Sequence, residues 1–169
     1  MEQTTIFFAR LKESAKIPCK RSEDAGYDIY ACLDEDYLKL EPHETRALPT
    51  GIASACSPDY YFHLAERGST GTKGIGQRCG IIDSGYRGEW FVPLTNHGTL
   101  PLYFVKPERA EALKQSVGET AAVFYTCDKA ICQALLLPVP RTCVQELSYD
   151  ELCAIDSERK TGSLGSSSK

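Results

Sequence analysis

Gly80-Ile81-Ile82-Asp83-Ser84-Gly85-Tyr86-Arg87-Gly88 is the stretch on which the reading of this chain turns. A β-type run stands on each side of Asp83-Ser84-Gly85, so the spacing predicts a hairpin with a glycine-assisted tip. Working outward, short β-type runs ended by Gly, Pro, Asn, Asp or Ser recur at 5–11, 60–65, 80–82, 89–94, 123–125 and 133–139. Alternation within the 60–65 run puts Tyr60, Phe62 and Leu64 on one face. Many short strands at close spacing predict an all-β barrel or jelly roll. Pro93, inside an otherwise strand-like run, predicts an edge or a bulge. The stretch 107–115 is the exception: a proline and acids followed by good helix formers predict one short inserted helix.

At 169 residues, the chain is long enough for a single domain. Its 42% apolar and 25% charged residues describe a folded globular chain, not a disordered one. With 19 Lys and Arg against 23 Asp and Glu, the net charge of -4 speaks against binding to nucleic-acid polymers or anionic membranes. No apolar run approaches the roughly 20 residues needed to cross a bilayer. Met1-Glu2-Gln3-Thr4-Thr5 has neither the basic start nor the apolar stretch of a secretory leader, so the expected location is cytoplasmic. The 8 cysteines are scattered without a C-x-x-C pair and are expected to act as small, mostly buried hydrophobes. His43, His63 and His97 share no metal-ligand spacing, so no zinc site is expected. The composition turns polar and small after Asp156, which divides the chain into a β-domain, 1–156, and a mobile arm, 157–169.

Four segments carry more Gly, hydroxyl and charge than a scaffold requires. At the 80–88 tip, Asp83 is either a turn residue bonding nearby N–H groups or a general base on a rigid support, with hairpin backbone beside it to read a flat ligand. In Glu66-Arg67-Gly68-Ser69-Thr70-Gly71-Thr72-Lys73-Gly74, small residues let backbone N–H groups crowd round an anion, and Arg67 and Lys73 add charge. It lacks the Walker A pattern, and by itself it reads equally as a solvated loop. The tail, with Arg159 and Lys160 ahead of Gly162 and Gly165, is either a plain linker or an arm that folds over a polyphosphate. Ser22-Glu23-Asp24-Ala25-Gly26-Tyr27-Asp28-Ile29-Tyr30-Ala31 is locally an acidic turn leading into a strand. No G-x-S-x-G or Cys/His pairing supports covalent catalysis.

Taken in order, these segments resemble the trimeric dUTPase family. Ala25-Gly26-Tyr27-Asp28-Ile29-Tyr30-Ala31 looks like its A-G-x-D-[LI]-x-A motif, 67–74 matches the second motif, and 80–88 is similar to G-[VI]-I-D-x-x-Y-x-G nearly residue for residue. Ala130-Ile131-Cys132-Gln133-Ala134-Leu135 looks like the fourth motif, and 159–167 resembles the fifth. Pro49-Thr50-Gly51-Ile52 also stands where the family has a P-T-G strand entry. The resemblance implies a distorted jelly-roll β-barrel, a homotrimer with sites at subunit boundaries, and hydrolysis of dUTP to dUMP and pyrophosphate with Mg2+.

Carried over by position, Asp83 would orient the attacking water, and Tyr86 would pack on deoxyribose and crowd out a ribose hydroxyl. The backbone around Gly80, Ile81 and Ile82 would bind uracil. Arg67, Gly68, Ser69, Thr70 and Gln133 would hold phosphates, with Asp28 near hydrated Mg2+. Arg159, Gly162, Leu164, Gly165 and Ser166 would close over the nucleotide.

The chain departs from the family at three places. It has Arg67-Gly68-Ser69-Thr70 where many members read R-S-[GS]-L, and Leu164 where an aromatic usually stacks on uracil, so arm closure is expected to contribute less. It also has a long 107–120 connection. One alternative is a dCTP deaminase-like enzyme of the same fold. That family's deaminating glutamate would fall at Pro93, which has no carboxylate. Another is a phage-type dUTPase that keeps the site and also regulates a protein partner.

Overall fold

The 60–65 run folds as its alternation predicts. In the computed structural model of the chain, which describes residues 4–158, 160 and 161, Tyr60–Ala65 is one strand with Phe62 and Leu64 buried and Tyr61 and His63 partly exposed. Twelve strands are described: β1 (Phe7–Arg10), β2 (Tyr27–Tyr30), β3 (Tyr37–Leu40), β4 (Thr45–Pro49), β5 (Ile52–Ala55), β6 (Tyr60–Ala65), β7 (Ile75–Gln77), β8 (Ile81–Ile82), β9 (Phe91–Asn96), β10 (Leu102–Val105), β11 (Val123–Thr126) and β12 (Ala130–Pro138). They form four small sheets, ordered β1-β5, β11-β10-β3, β2-β12-β6-β8 and β4-β9-β7. The class is all-β as expected, but no continuous ladder closes a barrel among the described residues. Only the β10–β11 pair among these ladders is parallel.

The sheets share one core. Trp90, Phe62, Phe104, Ile29, Leu40, Leu48 and Leu94 are essentially inaccessible to solvent. Each such side chain contributes about 1.5–3 kcal/mol by leaving water. Phe62 and Trp90 meet edge to face with ring centres 5.1 Å apart, and Phe8 lies 5.4 Å from Phe62 and 5.7 Å from Trp90. This cluster matters for the 80–88 tip. Phe62 sits opposite Ile82 in the β6–β8 ladder before the turn, and Trp90 follows it, so core packing pins both ends.

The expected hairpin is zipped only at its base. Ile75, Gly76 and Gln77 pair with Asn96, Thr95 and Leu94, and the Arg78 N–H still donates to the Pro93 carbonyl at 2.9 Å. The next strand, β8, pairs with β6 instead. Pro93 explains where the ladder stops, because it has no N–H to return to Arg78. Pro93 therefore lies neither on an edge strand nor at a bulge: β9 is the central strand of its sheet, and Pro93 stands opposite Ala47 of β4. Cys79 then adopts φ 61°, and Gly80 passes so close to β6 that a Cβ there would lie 2.9 Å from the Leu64 carbonyl oxygen.

Helix is more extensive than the single element expected at 107–115. There a 3₁₀ turn (Pro107–Arg109) leads into a helix at Ala110–Val117, ended by Gly118 at φ 98°. A one-turn helix, α1 (Gly68–Gly71), precedes it in the chain, so that helix is α2, and α3 (Tyr149–Ala154) follows. Contacts group the chain up to Val139 as one unit and the described residues from Pro140 onward as another. Its helix α3 begins with a capping box: Ser148 Oγ accepts from the Glu151 N–H, and the Glu151 carboxylate accepts from the Ser148 N–H at 2.8 Å. The Ser148-x-x-Glu151 pattern was a readable start signal.

The cysteines correct one expectation. Cys32, Cys127 and Cys132 are buried and Cys56 partly so, but Cys19, Cys79, Cys143 and Cys153 are exposed, and all are free. Burial pushes the Cys127 thiol up to about 11 and the Cys132 thiol up to about 12.

Candidate active site

Sheet register brings three of the expected residues together. Asp28 on β2 stands opposite Gln133 on β12, and Gln133 stands opposite Ala65 at the end of β6, two residues before Arg67. The Arg67 Nε lies 3.5 Å from Asp28 Oδ1, and Gln133 Nε2 donates to the same oxygen at 3.4 Å. Arg67 Nη1 donates to the Ala130 carbonyl at 2.9 Å, which fixes the guanidinium plane. The Arg67–Asp28 pair is about a quarter exposed and divides two clefts. One, of ≈ 350 Å³, is lined by Cys19, Lys20, Arg21, Asp24, Asp28, Arg67 and Gln133. The other, of ≈ 400 Å³, includes Tyr30, Ser69, Lys73, Asp128 and Lys129.

The hydroxyls of the second segment have separate duties. Thr70 Oγ1 donates to the Arg67 carbonyl at 2.9 Å and Thr72 Oγ1 to the Gly68 carbonyl at 2.7 Å, which holds α1 in its single turn. Ser69 is the hydroxyl that lines the cleft. A Cβ at Gly68 would meet nothing within 4 Å, so glycine answers no steric demand there. Arg21 forks onto Asp24 at 2.8 and 2.9 Å and holds its carboxyl below the usual carboxylate range. This exposed pair adds little stability.

The second half of the chemistry sits on the 80–88 turn. Asp83 is exposed, and its carbonyl accepts the Tyr86 N–H at 3.0 Å. The Tyr86 hydroxyl donates to the Glu89 carbonyl at 2.9 Å, and Glu89 Oε1 accepts the Gly51 N–H at 2.8 Å. Arg87 Nη1 ties the carbonyls of Ser84, Tyr86 and Ser54 together at 2.6, 3.1 and 3.2 Å. Gly88 lies under the Tyr86 ring, where an added Cβ would be 2.6 Å from Cζ. The turn is thus braced from both sides. Beside it, Ile81, Ile82, Asp83, Tyr86, Glu89 and Phe91 line a shallow cleft of ≈ 250 Å³. Ile81, Tyr86 and Phe91 are exposed and offer a flat ring an apolar floor.

The two halves lie at opposite ends of β6. Ile82 is opposite Phe62, so Asp83 follows at the Tyr61 level while Arg67 lies beyond Ala65 at the other end. Six residues of extended chain place the two backbones about 20 Å apart. Of the residues expected at the site, Asp28, Arg67, Ser69 and Gln133 come together, while Ile81, Ile82, Asp83 and Tyr86 form a separate group. Arg159, Gly162, Leu164, Gly165 and Ser166 lie outside the described residues. Sequence reasoning missed Lys20 and Arg21, a basic doublet that was a visible signal, and Lys129. It also missed the Ala130 carbonyl, which no side chain advertises.

The acids present suit one kind of metal. Among the described residues no three His, Cys, Asp or Glu side chains cluster as metal ligands. Mg2+ does not need such a cage, because it keeps several waters and is commonly held by one or two carboxylates plus substrate phosphates. Asp28, at the boundary of both clefts, fits that demand.

An all-β unit that sets a cation-lined cleft at one end of a strand and a braced carboxylate turn at the other has the parts of a phosphate-anhydride hydrolase. The chain belongs to the dUTPase family, whose model matches residues 12–110. The deoxyuridine 5'-triphosphate nucleotidohydrolase of Gloeobacter violaceus is 32% identical over 171 residues, covering 99% of each chain. That of Leptospira interrogans is 40% identical over 97 residues, 55% of this chain and 66% of the relative's length. The dUTPase of Staphylococcus bacteriophage 80alpha, solved with dUpNHpp, has the same fold: TM-score 0.72 at 20% identity, over 96% of this chain and 98% of that one.

Proposed function

We propose that this chain hydrolyses dUTP to dUMP and pyrophosphate, with Asp83 as the base that orients the attacking water. Arg67, Ser69 and Gln133 bind the phosphate oxygens. The fixed donors need little rearrangement as charge builds on them, which is where such groups lower a barrier most. Asp28 would hold hydrated Mg2+ through its waters, and the ion would supply charge neutralisation of the triphosphate. The braced backbone at 80–88 reads uracil, and Tyr86 packs on the sugar. The arm, 157–169, supplies Arg159, Gly162, Leu164, Gly165 and Ser166 to cover the nucleotide. The chain works in the cytoplasm, where reducing conditions keep its eight free thiols reduced.

One observation carries this reading: the two chemically complementary groups lie at opposite ends of β6. A base at Asp83 cannot serve phosphates held by Arg67 of the same chain across about 20 Å, because reacting atoms must approach to roughly 3–3.5 Å. We therefore place each site between copies of the chain, in a homotrimer as the family resemblance implies. Deamination is disfavoured, since Pro93 puts a saturated ring in mid-strand where that chemistry would need an acid.

The direct test measures pyrophosphate release from dUTP, dTTP, dCTP and UTP with Mg2+. Rapid turnover of dUTP alone is expected. Equal turnover of all four, or ammonia release from dCTP, would overturn the reading.

A further inference from the structure

The carbonyl of Ala130 is where two parts of the fold meet. β12 begins there, and its register against β2 slips between Ala130 and Cys132, a bulge that leaves Ile131 as the extra residue. Two side chains converge on that carbonyl. One is Arg67 through Nη1 at 2.9 Å, and the other is Tyr125, whose hydroxyl donates at 2.7 Å. Tyr125 comes from β11, in a different sheet from β12, and only 2% of it is exposed. Its ring is held by the core, 5.6 Å from that of Phe104. Tyr125 is thus a rigid rod from the core to the oxygen on which Arg67 rests. A carbonyl has two lone pairs, so it can accept both donors at once, and the tyrosine bond holds the oxygen itself in place.

We propose that Tyr125 is a positioning residue for phosphate binding: its buried hydroxyl holds the Ala130 carbonyl at the bulge, and that carbonyl in turn aims the Arg67 guanidinium at the nucleotide's phosphates. Tyr125 stands in the wall of the ≈ 400 Å³ cleft with only 2% of it exposed and its hydroxyl spent on the Ala130 carbonyl, so its part is played through Arg67. Without the hydroxyl, the ring still fills its place and the carbonyl still accepts from Arg67, so the core is kept while the guanidinium loses its stop. A bidentate grip is sensitive to such slack because guanidinium and phosphate must meet in a fixed geometry. Bulges recur beside active sites as devices that re-aim a group, and here the group aimed is a backbone oxygen.

The inference rests on the reading of Arg67 as a phosphate ligand, and a double-mutant cycle separates the two. The affinity of the full-length protein for dUpNHpp with Mg2+ is measured by calorimetry for wild type, Tyr125→Phe, Arg67→Lys and the double variant. Tyr125→Phe is expected to weaken binding about 3- to 10-fold, the size of a typical coupling between neighbours, and to change nothing further once Arg67 is Lys. An equal loss on both backgrounds, or no loss at all, overturns the role of Tyr125. If Arg67→Lys itself leaves the affinity unchanged, the phosphate-ligand reading fails first and this inference with it. Should Tyr125→Phe not fold, 3,5-difluorotyrosine at 125 keeps the ring and its hydroxyl and chiefly alters the hydroxyl's acidity. Altered affinity on the wild-type background but not with Arg67→Lys is then expected, and unchanged affinity overturns the proposal.

Discussion

Asp83→Asn and Arg67→Ala are each expected to be inactive alone and to regain activity when their subunits are mixed. Removing a general base costs about 10²–10⁴-fold, so the Asp83→Asn variant by itself should retain about 1% of activity or less. In a mixed oligomer the geometry sets the yield. Each site takes its 80–88 turn from one subunit and its Arg67 cleft from another. With equal amounts of both variants assembling at random, an intact turn and an intact cleft each occur with probability one half, so about a quarter of the sites in a closed ring are whole. The two variants, carrying different affinity tags, are co-expressed or refolded together. Pyrophosphate release at saturating dUTP is then compared with an equal mass of wild type. Recovery near a quarter fits sites shared between copies. Background activity from an oligomer that retains both tags through two affinity steps would refute the argument from the length of β6.

Gly51→Ala should lower the unfolding midpoint, since Gly51 has φ 67° and an added Cβ would lie 2.8 Å from the Ala15 Cβ. The left-handed conformation costs about 1–2 kcal/mol and overpacking about 1–3 more, so a fall of roughly 5–15 °C is expected by calorimetry, and an unchanged midpoint would show that the turn relaxes freely. Tyr86→Ala should reduce the preference for dUTP over UTP by about tenfold or more in kcat/KM, and a preserved ratio would remove Tyr86 from sugar discrimination. A thiol reagent at pH 8 should modify Cys19, Cys79, Cys143 and Cys153 quickly, and reach Cys32, Cys127 and Cys132 only on unfolding. Folding keeps Cys127 and Cys132 protonated to about 11 and about 12, against an ordinary value of 9.0. Above that ordinary value the unfolded chain releases protons that the folded chain retains, so stability should fall as pH rises past it. A flat denaturation midpoint across that range would contradict the burial of both thiols.

The chemistry was easier to read in the sequence than the architecture that divides it. Asp28, Arg67, Asp83, Tyr86 and Gln133 stood out because five motifs follow one another in the family's order; taken alone, the local spacing at Asp28 and Asp83 reads equally as a turn. Strands with both faces buried were less visible. In β10 all four residues are buried, so no alternation marks it, and its parallel neighbour β11 adds no turn signal. α1 could not be foreseen, since Gly68-Ser69-Thr70-Gly71 is poor in helix formers. It forms because two threonine hydroxyls close its carbonyls. The Ala130 carbonyl was illegible for another reason: a bulge is a relation between two strands, and neither strand's sequence states it. The same holds for β8, whose change of partner depends on one missing donor in β9.

That missing donor has an effect beyond ending a ladder. Pro93 parts the chain in two ways at once: it withholds the donor that Arg78 would need, and its ring stands where that N–H would point. The parting is therefore written into the covalent chain at Pro93, and it leaves β8 free to carry the Asp83 turn on β6.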